Sequence, residues 1–193
     1  MSTPAADRLH LTGDDEADRL LASDALALLI GFALDQQVTV QKAFFGPLEL
    51  RRRLGSLDAR RIADTDPAAL DEVFRRRPAL HRFPSAMAKK VQALAAAIVL
   101  EYDGDAARIW REAEDGADLQ RRLRGLPGFG PMKVSGVIAI LDQRLGLELP
   151  GLDQVRPMHP TLGDVDSAES LTRYQAGKRA MKAAARESAG DRR

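Results

Sequence analysis

The residues best placed to do chemistry are Gly128-Phe129-Gly130, followed directly by Pro131-Met132-Lys133. Glycines in such a turn adopt backbone geometry closed to other residues and leave their N–H groups uncovered. A helix that begins at the turn adds its own free N–H groups and the positive end of its dipole. The product is a compact anion-binding corner suited to a nucleic-acid phosphate. Pro131 gives up one N–H that has no partner in a first helical turn and fixes φ for helix entry.

Two helices must hold this corner. Leu123 and Leu126 face the core from one side, Val134, Val137 and Ile138 from the other, and Phe129 plugs the gap between them. Apolar periodicity and capping residues predict helices through the rest of the chain. They cover 14–22, 24–37 with Ser23 as N-cap, and a segment opened by Thr39, bent or broken at Gly46-Pro47 and ended by Gly55. Further helices are expected over 58–63, 66–76, 85–102, 106–114, 117–124, 132–145 and, after Ser167, to about 188. The Pro- and Gly-rich stretch 147–165 reads as an irregular connection. No strand is expected, so the fold class is all-α.

The segment Leu123-Arg124-Gly125-Leu126-Pro127-Gly128-Phe129-Gly130 resembles the helix-hairpin-helix motif in its Leu-Pro-Gly-x-Gly form. Upstream, Leu28–Ala43, with Asp35-Gln36-Gln37-Val38-Thr39, resembles the apolar helix and Gln-Gln segment of helix-hairpin-helix (HhH-GPD) base-excision DNA glycosylases. Phe83–Leu94, opening a long helix between the two, fits the order of that family. The resemblance spans about 24–145 and implies a two-lobed, all-α glycosylase-like fold. Its six-helix-barrel lobe would be 24–145, with the hairpin at 117–145. A second, reduced lobe would come from 1–23 plus 146–193.

The resemblance also implies roles. Gln36 or Gln37 would sit at the cleft mouth and fill the gap left by a nucleotide flipped out of the duplex; an ordinary hydrophilic helix end is the alternative. Gly128, Phe129, Gly130, Met132 and Lys133 would contact DNA. Bifunctional members carry a lysine nucleophile two residues after the second hairpin glycine. Met132 stands there, and Lys133 is one residue, about 100°, further round the helix. The apolar Met132 resembles the branch that only hydrolyses the N-glycosidic bond of a damaged base. Both branches use an Asp some 18–20 residues later. Asp153, just past that window, is the candidate catalytic carboxylate, with Asp35 and Asp142 as remoter ones. The alternatives are a non-catalytic DNA-binding protein and an abasic-site lyase using Lys133.

Composition fits such a protein. The 193 residues include no Cys, which excludes disulfides, thiolate chemistry and the iron–sulfur cluster of endonuclease III relatives. Three scattered His residues suggest no metal site; the hairpin backbone could hold a monovalent cation. Net charge is only +1, but 36–101 holds twelve basic and seven acidic residues. Double-stranded DNA is the expected partner of that block, although solvated helix faces would also explain it. The polar start and the absence of a long apolar run predict a cytoplasmic protein, at the nucleoid, with no membrane partner; a monomer is expected. Lys178, Arg179, Lys182 and Arg186 form a basic stripe on the last helix, with Leu171, Tyr174 and Met181 expected to pack inward. Trp110, Tyr102 and the Phe residues are read as core and His81 as exposed.

Overall fold

A computed structural model describes residues 5–190, leaving side chains undescribed at 182 and 185–190. Every regular element among the described residues is helical. The helices are α1 (Asp15–Ser23), α2 (Ala25–Leu34), α3 (Val40–Leu54), α4 (Ala59–Asp64), α5 (Pro67–Arg75) and α6 (Pro84–Tyr102). They continue with α7 (Arg108–Arg111), α8 (Gly116–Gly125), α9 (Pro131–Gln143), α10 (Leu152–Val155) and α11 (Ala168–Gly190). A short 3₁₀ turn, Leu162–Asp164, precedes α11. No helix among the described residues is long and apolar enough to cross a membrane.

Caps set most boundaries. Asp14, Asp24, Thr39, Asp58, Asp66 and Asp115 each accept from a backbone N–H in the first turn of the helix that follows. Asp24, not Ser23, therefore caps α2, and Ser23 closes α1 instead. Gly55 ends α3 in the left-handed region, as its sequence position predicts. Of the bend or break expected at Gly46-Pro47, the break does not occur: α3 runs through Pro47. A Cβ on Gly46 would come within 2.5 Å of Leu34 Cδ1, so α2 and α3 cross in close contact here. Tertiary packing outweighs the hydrogen bond that Pro47 removes. The expected helix at 106–114 shrinks to the single turn of α7, and 147–165 contains α10 and the 3₁₀ turn.

α2 is the central post. Every residue from Leu26 to Leu34 is buried, which is why it is apolar all round. Glycines let its neighbours approach: a Cβ on Gly31 would meet Phe44 at 2.5 Å, and one on Gly136 would meet Phe32 at 2.7 Å. The buried apolar residues form one cluster that runs from Leu9 to Leu171. The C-terminal end of α2 thereby comes to rest beside the start of α9, where the hairpin turns.

The candidate nucleic-acid interface

α8 ends at Gly125, and the chain turns back through two backbone bonds, Leu126 N–H to Leu123 O and Phe129 N–H to Leu126 O. Gly128 has φ +77°, which a side chain would strain. Gly130 is different. Its φ of −78° suits any residue, and a Cβ there would meet nothing within 4 Å. It is also the N-cap of α9, where Ser or Asp would cap the helix as well or better. The bare position leaves the turn open to solvent: the N–H groups of Gly128, Gly130 and Met132 have no partner among the described residues. Phe129 is buried beneath, as its role as a plug requires. Of the carbonyls in this turn, those of Leu123, Leu126 and Gly130 accept a backbone N–H.

Lys133 points back from α9 to the end of α2. Its Nζ donates to Ala33 O at 3.3 Å and sits 5.7 Å from the Phe129 ring centre. Burial pushes the amine down to about 8, with the Lys90 ammonium pushing the same way and the Asp35 carboxylate pulling back. Lys90 in turn donates to Gln36 Oε1 at 2.7 Å. His81 completes the cluster. Its Nδ1 accepts from Phe83 N–H, so Nε2 carries the hydrogen and reaches Leu34 O and Gln36 O at 3.2 and 3.0 Å. His81 is 1% exposed, not the exposed residue expected, because three backbone groups hold it under the loop. Burial keeps its pKa below the ordinary value.

The two glutamines separate. Gln36 is consumed locally, donating to Ala33 O at 2.9 Å and accepting from Lys90. Gln37 is exposed and has φ +55°, a left-handed conformation uncommon for a residue other than glycine. It borders a cavity of about 650 Å³ shared with Asp35, Thr39, Gln41, Gln175 and Lys178. Gln41 and Gln175 exchange amide hydrogen bonds and tie α11 across it.

A second, more apolar groove of about 270 Å³ runs between the first turn of α9 and α11. Met132, 67% exposed, forms one wall, with Pro160, Tyr174 and Met181 opposite. Met181 lies exposed on the groove instead of packing inward, while Leu171 is buried and Tyr174 half-buried. Lys182 and Arg186, the outer half of the expected basic stripe, lie outside the described side chains; Lys178 and Arg179 border the cavities. The Tyr174 hydroxyl is pushed up by burial and by two carboxylates, Asp35 and Asp164.

Asp164 is a further acid, which the sequence alone did not single out. It lines the same groove as Met132, and Thr161 N–H holds its Oδ2 at 2.7 Å in a reciprocal cap. The signal was Thr161-Leu-Gly-Asp164, a capping-box spacing inside a stretch read as irregular. Asp153 lies elsewhere. α10 packs on the start of α8, where Gly116 N–H bonds Pro150 O at 2.9 Å. A Cβ on Gly116 would strike Gly151 O at 2.5 Å. Asp153 shares its open cavity with Asp142, which ion-pairs with Arg156 at 2.6 Å. Met132 and Asp142 are separated by about 15 Å of helix. Asp153 and Asp142 thus sit at the base of the hairpin, away from Lys133 at its tip, and Asp35 joins Lys133 instead.

No group of His, Cys, Asp and Glu that could hold a metal ion occurs among the described residues. Comparison with protein-family models, curated proteins and solved structures finds no match to this chain.

Proposed function

We propose that this chain is a helix-hairpin-helix base-excision DNA repair protein, a glycosylase that hydrolyses the N-glycosidic bond of a damaged base flipped out of duplex DNA. The observation that carries this reading is the solvent-open hairpin tip at Gly128–Gly130, one turn from a groove with a fixed carboxylate. The N–H groups of the tip bind a backbone phosphate. Gln37, exposed on its left-handed loop, occupies the gap in the duplex, while Gln36 braces the loop from below. The flipped nucleotide enters between Met132 and α11. Asp164 then takes the role first given to Asp153: it faces the sugar, stabilises positive charge as the base departs, and orients the water that attacks C1′. The division into a 24–145 lobe and a smaller lobe of 1–23 plus 146–193, with a location at the nucleoid, belongs to this reading.

The test is a panel of lesion-bearing duplexes, incubated with the protein and cleaved at abasic sites with hot alkali. Strand breaks that require Asp164 support the proposal. No break on any lesion, with duplex binding intact, would sink the glycosylase and leave a DNA-binding module.

One observation favours a second reading, an abasic-site lyase. A Lys133 amine with pKa of about 8 is partly neutral near physiological pH and can act as a nucleophile. It would attack the C1′ aldehyde of an abasic sugar, lose water and form an imine that borohydride reduces to a stable adduct. A trapped adduct abolished in Lys133→Ala identifies this activity.

A further inference from the structure

The basic block of the chain contains paired and unpaired cations. Arg51 and Arg52 both pair with Glu16, Arg53 with Glu49, Arg60 with Asp103 and Arg75 with Asp71. These cations are neutralised within the protein. Arg76, Arg77, Arg82 and Lys89 are exposed, and none makes an ion pair among the described residues. All four lie in the elbow between α5 and α6 and in the first turns of α6.

The elbow is built to be rigid. The Arg53 side chain, 5% exposed, donates to the carbonyls of Val73, Arg76 and Pro78 at 2.7–2.9 Å. Leu80 N–H closes on Phe74 O at 3.0 Å, and His81 is clamped beneath. A loop held this firmly presents its arginines at small entropic cost to a ligand. Among them stands Phe83, 43% exposed although expected in the core, with the Arg82 guanidinium 4.9 Å from its ring centre. Cations interleaved with an open aromatic ring make a surface for a nucleic-acid strand, phosphates on the charges and a sugar or base on the ring.

The strip also points at the hairpin. Lys90, beside Lys89 on α6, bonds Gln36 and lies near enough to Lys133 to disfavour its charge. From Phe83 to Lys90 is about 10 Å along the helix.

We propose that the α5–α6 elbow is a second backbone-binding site, in which Arg76, Arg77, Arg82 and Lys89 hold consecutive phosphates of a DNA strand leading to the hairpin. This rests on the DNA-binding reading above. The measurement is duplex affinity against salt concentration, by fluorescence anisotropy, for the full chain. Each phosphate contact contributes a slope of about −0.9 in log K against log[salt]. The triple variant Arg76→Ser, Arg77→Ser, Arg82→Ser is expected to flatten the slope by about 2 to 3 and to weaken binding about tenfold or more at moderate salt. Arg51→Ser with Arg52→Ser, which removes paired cations, is expected to change it by less than 1. Unaltered melting temperatures confirm that both proteins fold.

If wild type binds no duplex, the DNA reading itself fails. If it binds and Gly130→Asp weakens binding, but the triple variant keeps the wild-type slope, the second site alone is overturned. It is overturned too if the triple variant keeps its DNA slope but loses binding to vesicles rich in phosphatidylserine.

Discussion

The two ends of the α8–α9 hairpin are made from similar materials and have opposite character. At the base, several groups are tied down: Asp142 pairs with Arg156, Gly116 N–H with Pro150 O, and Asp115 with the Asp118 N–H. Backbones there touch so closely that Gly116 has no room for a side chain. At the tip, Gly130 has open space and a backbone any residue could adopt, yet the capping group is missing and N–H groups face solvent. Glycine at the base serves packing, and glycine at the tip serves access. Polar groups left unmatched on a rigid frame mark the end where a ligand is expected.

The comparison breaks most visibly at the acids. Asp164→Asn, in the groove that Met132 lines, is expected to reduce base excision by about 10²-fold or more, measured as single-turnover strand cleavage after alkali. Asp153→Asn, at the base, is expected to leave it unchanged. The reverse result would move the active site to the other end of the hairpin.

A smaller effect separates the two glycine types. Gly116→Ala forces the backbone of Gly151 away and is expected to cost about 1–3 kcal/mol by denaturant unfolding. Gly130→Ser is expected to change stability by only a few tenths of a kcal/mol, in the favourable direction. A Gly130→Ser variant as damaged as Gly116→Ala would erase the distinction.

pH sharpens the tip. As pH rises through about 8, Lys133 loses its charge in the folded protein. Borohydride trapping should then increase and any phosphate contact it makes should weaken, which kinetics and anisotropy at pH 7 and 9 resolve. Because its folded pKa lies below that of the unfolded chain, the cost of its buried charge is fully present below pH 8. It is relieved between 8 and the model-peptide range, so stability should rise there. His81 gives the matching low-pH effect. Its folded pKa is also depressed, so stability is kept above the ordinary His value and lost as pH falls below it. A melting temperature flat from pH 7 to 5, or identical in His81→Ala, would remove this cluster from the account.

What was legible in the sequence was local. Caps such as Asp66 before Pro67, the left-handed Gly55 and the Leu-Pro-Gly-Phe-Gly corner are written in adjacent residues. Pro47 misled because the contact that keeps α3 whole comes from Leu34 on another helix. Asp153 lies away from the hairpin tip for a related reason. Counting along the chain places an acid near the hairpin, but α10 folds onto the start of α8 and carries Asp153 to the base. Asp164, eleven residues later, returns to the groove because the 3₁₀ turn packs on α9. Nor could spacing reveal which arginines are neutralised: Glu16 and Arg51 are distant in sequence and meet only in the fold.

The most direct test of the central claim is Gly130→Asp, assayed together for melting temperature and duplex affinity. Aspartate is a favoured N-cap, and its side chain has open space, so the fold should be kept or slightly stabilised. Its carboxylate would occupy the N–H groups and repel phosphate, so the account expects binding at least tenfold weaker with an unchanged or higher melting temperature. Wild-type affinity in a stable Gly130→Asp protein would contradict it.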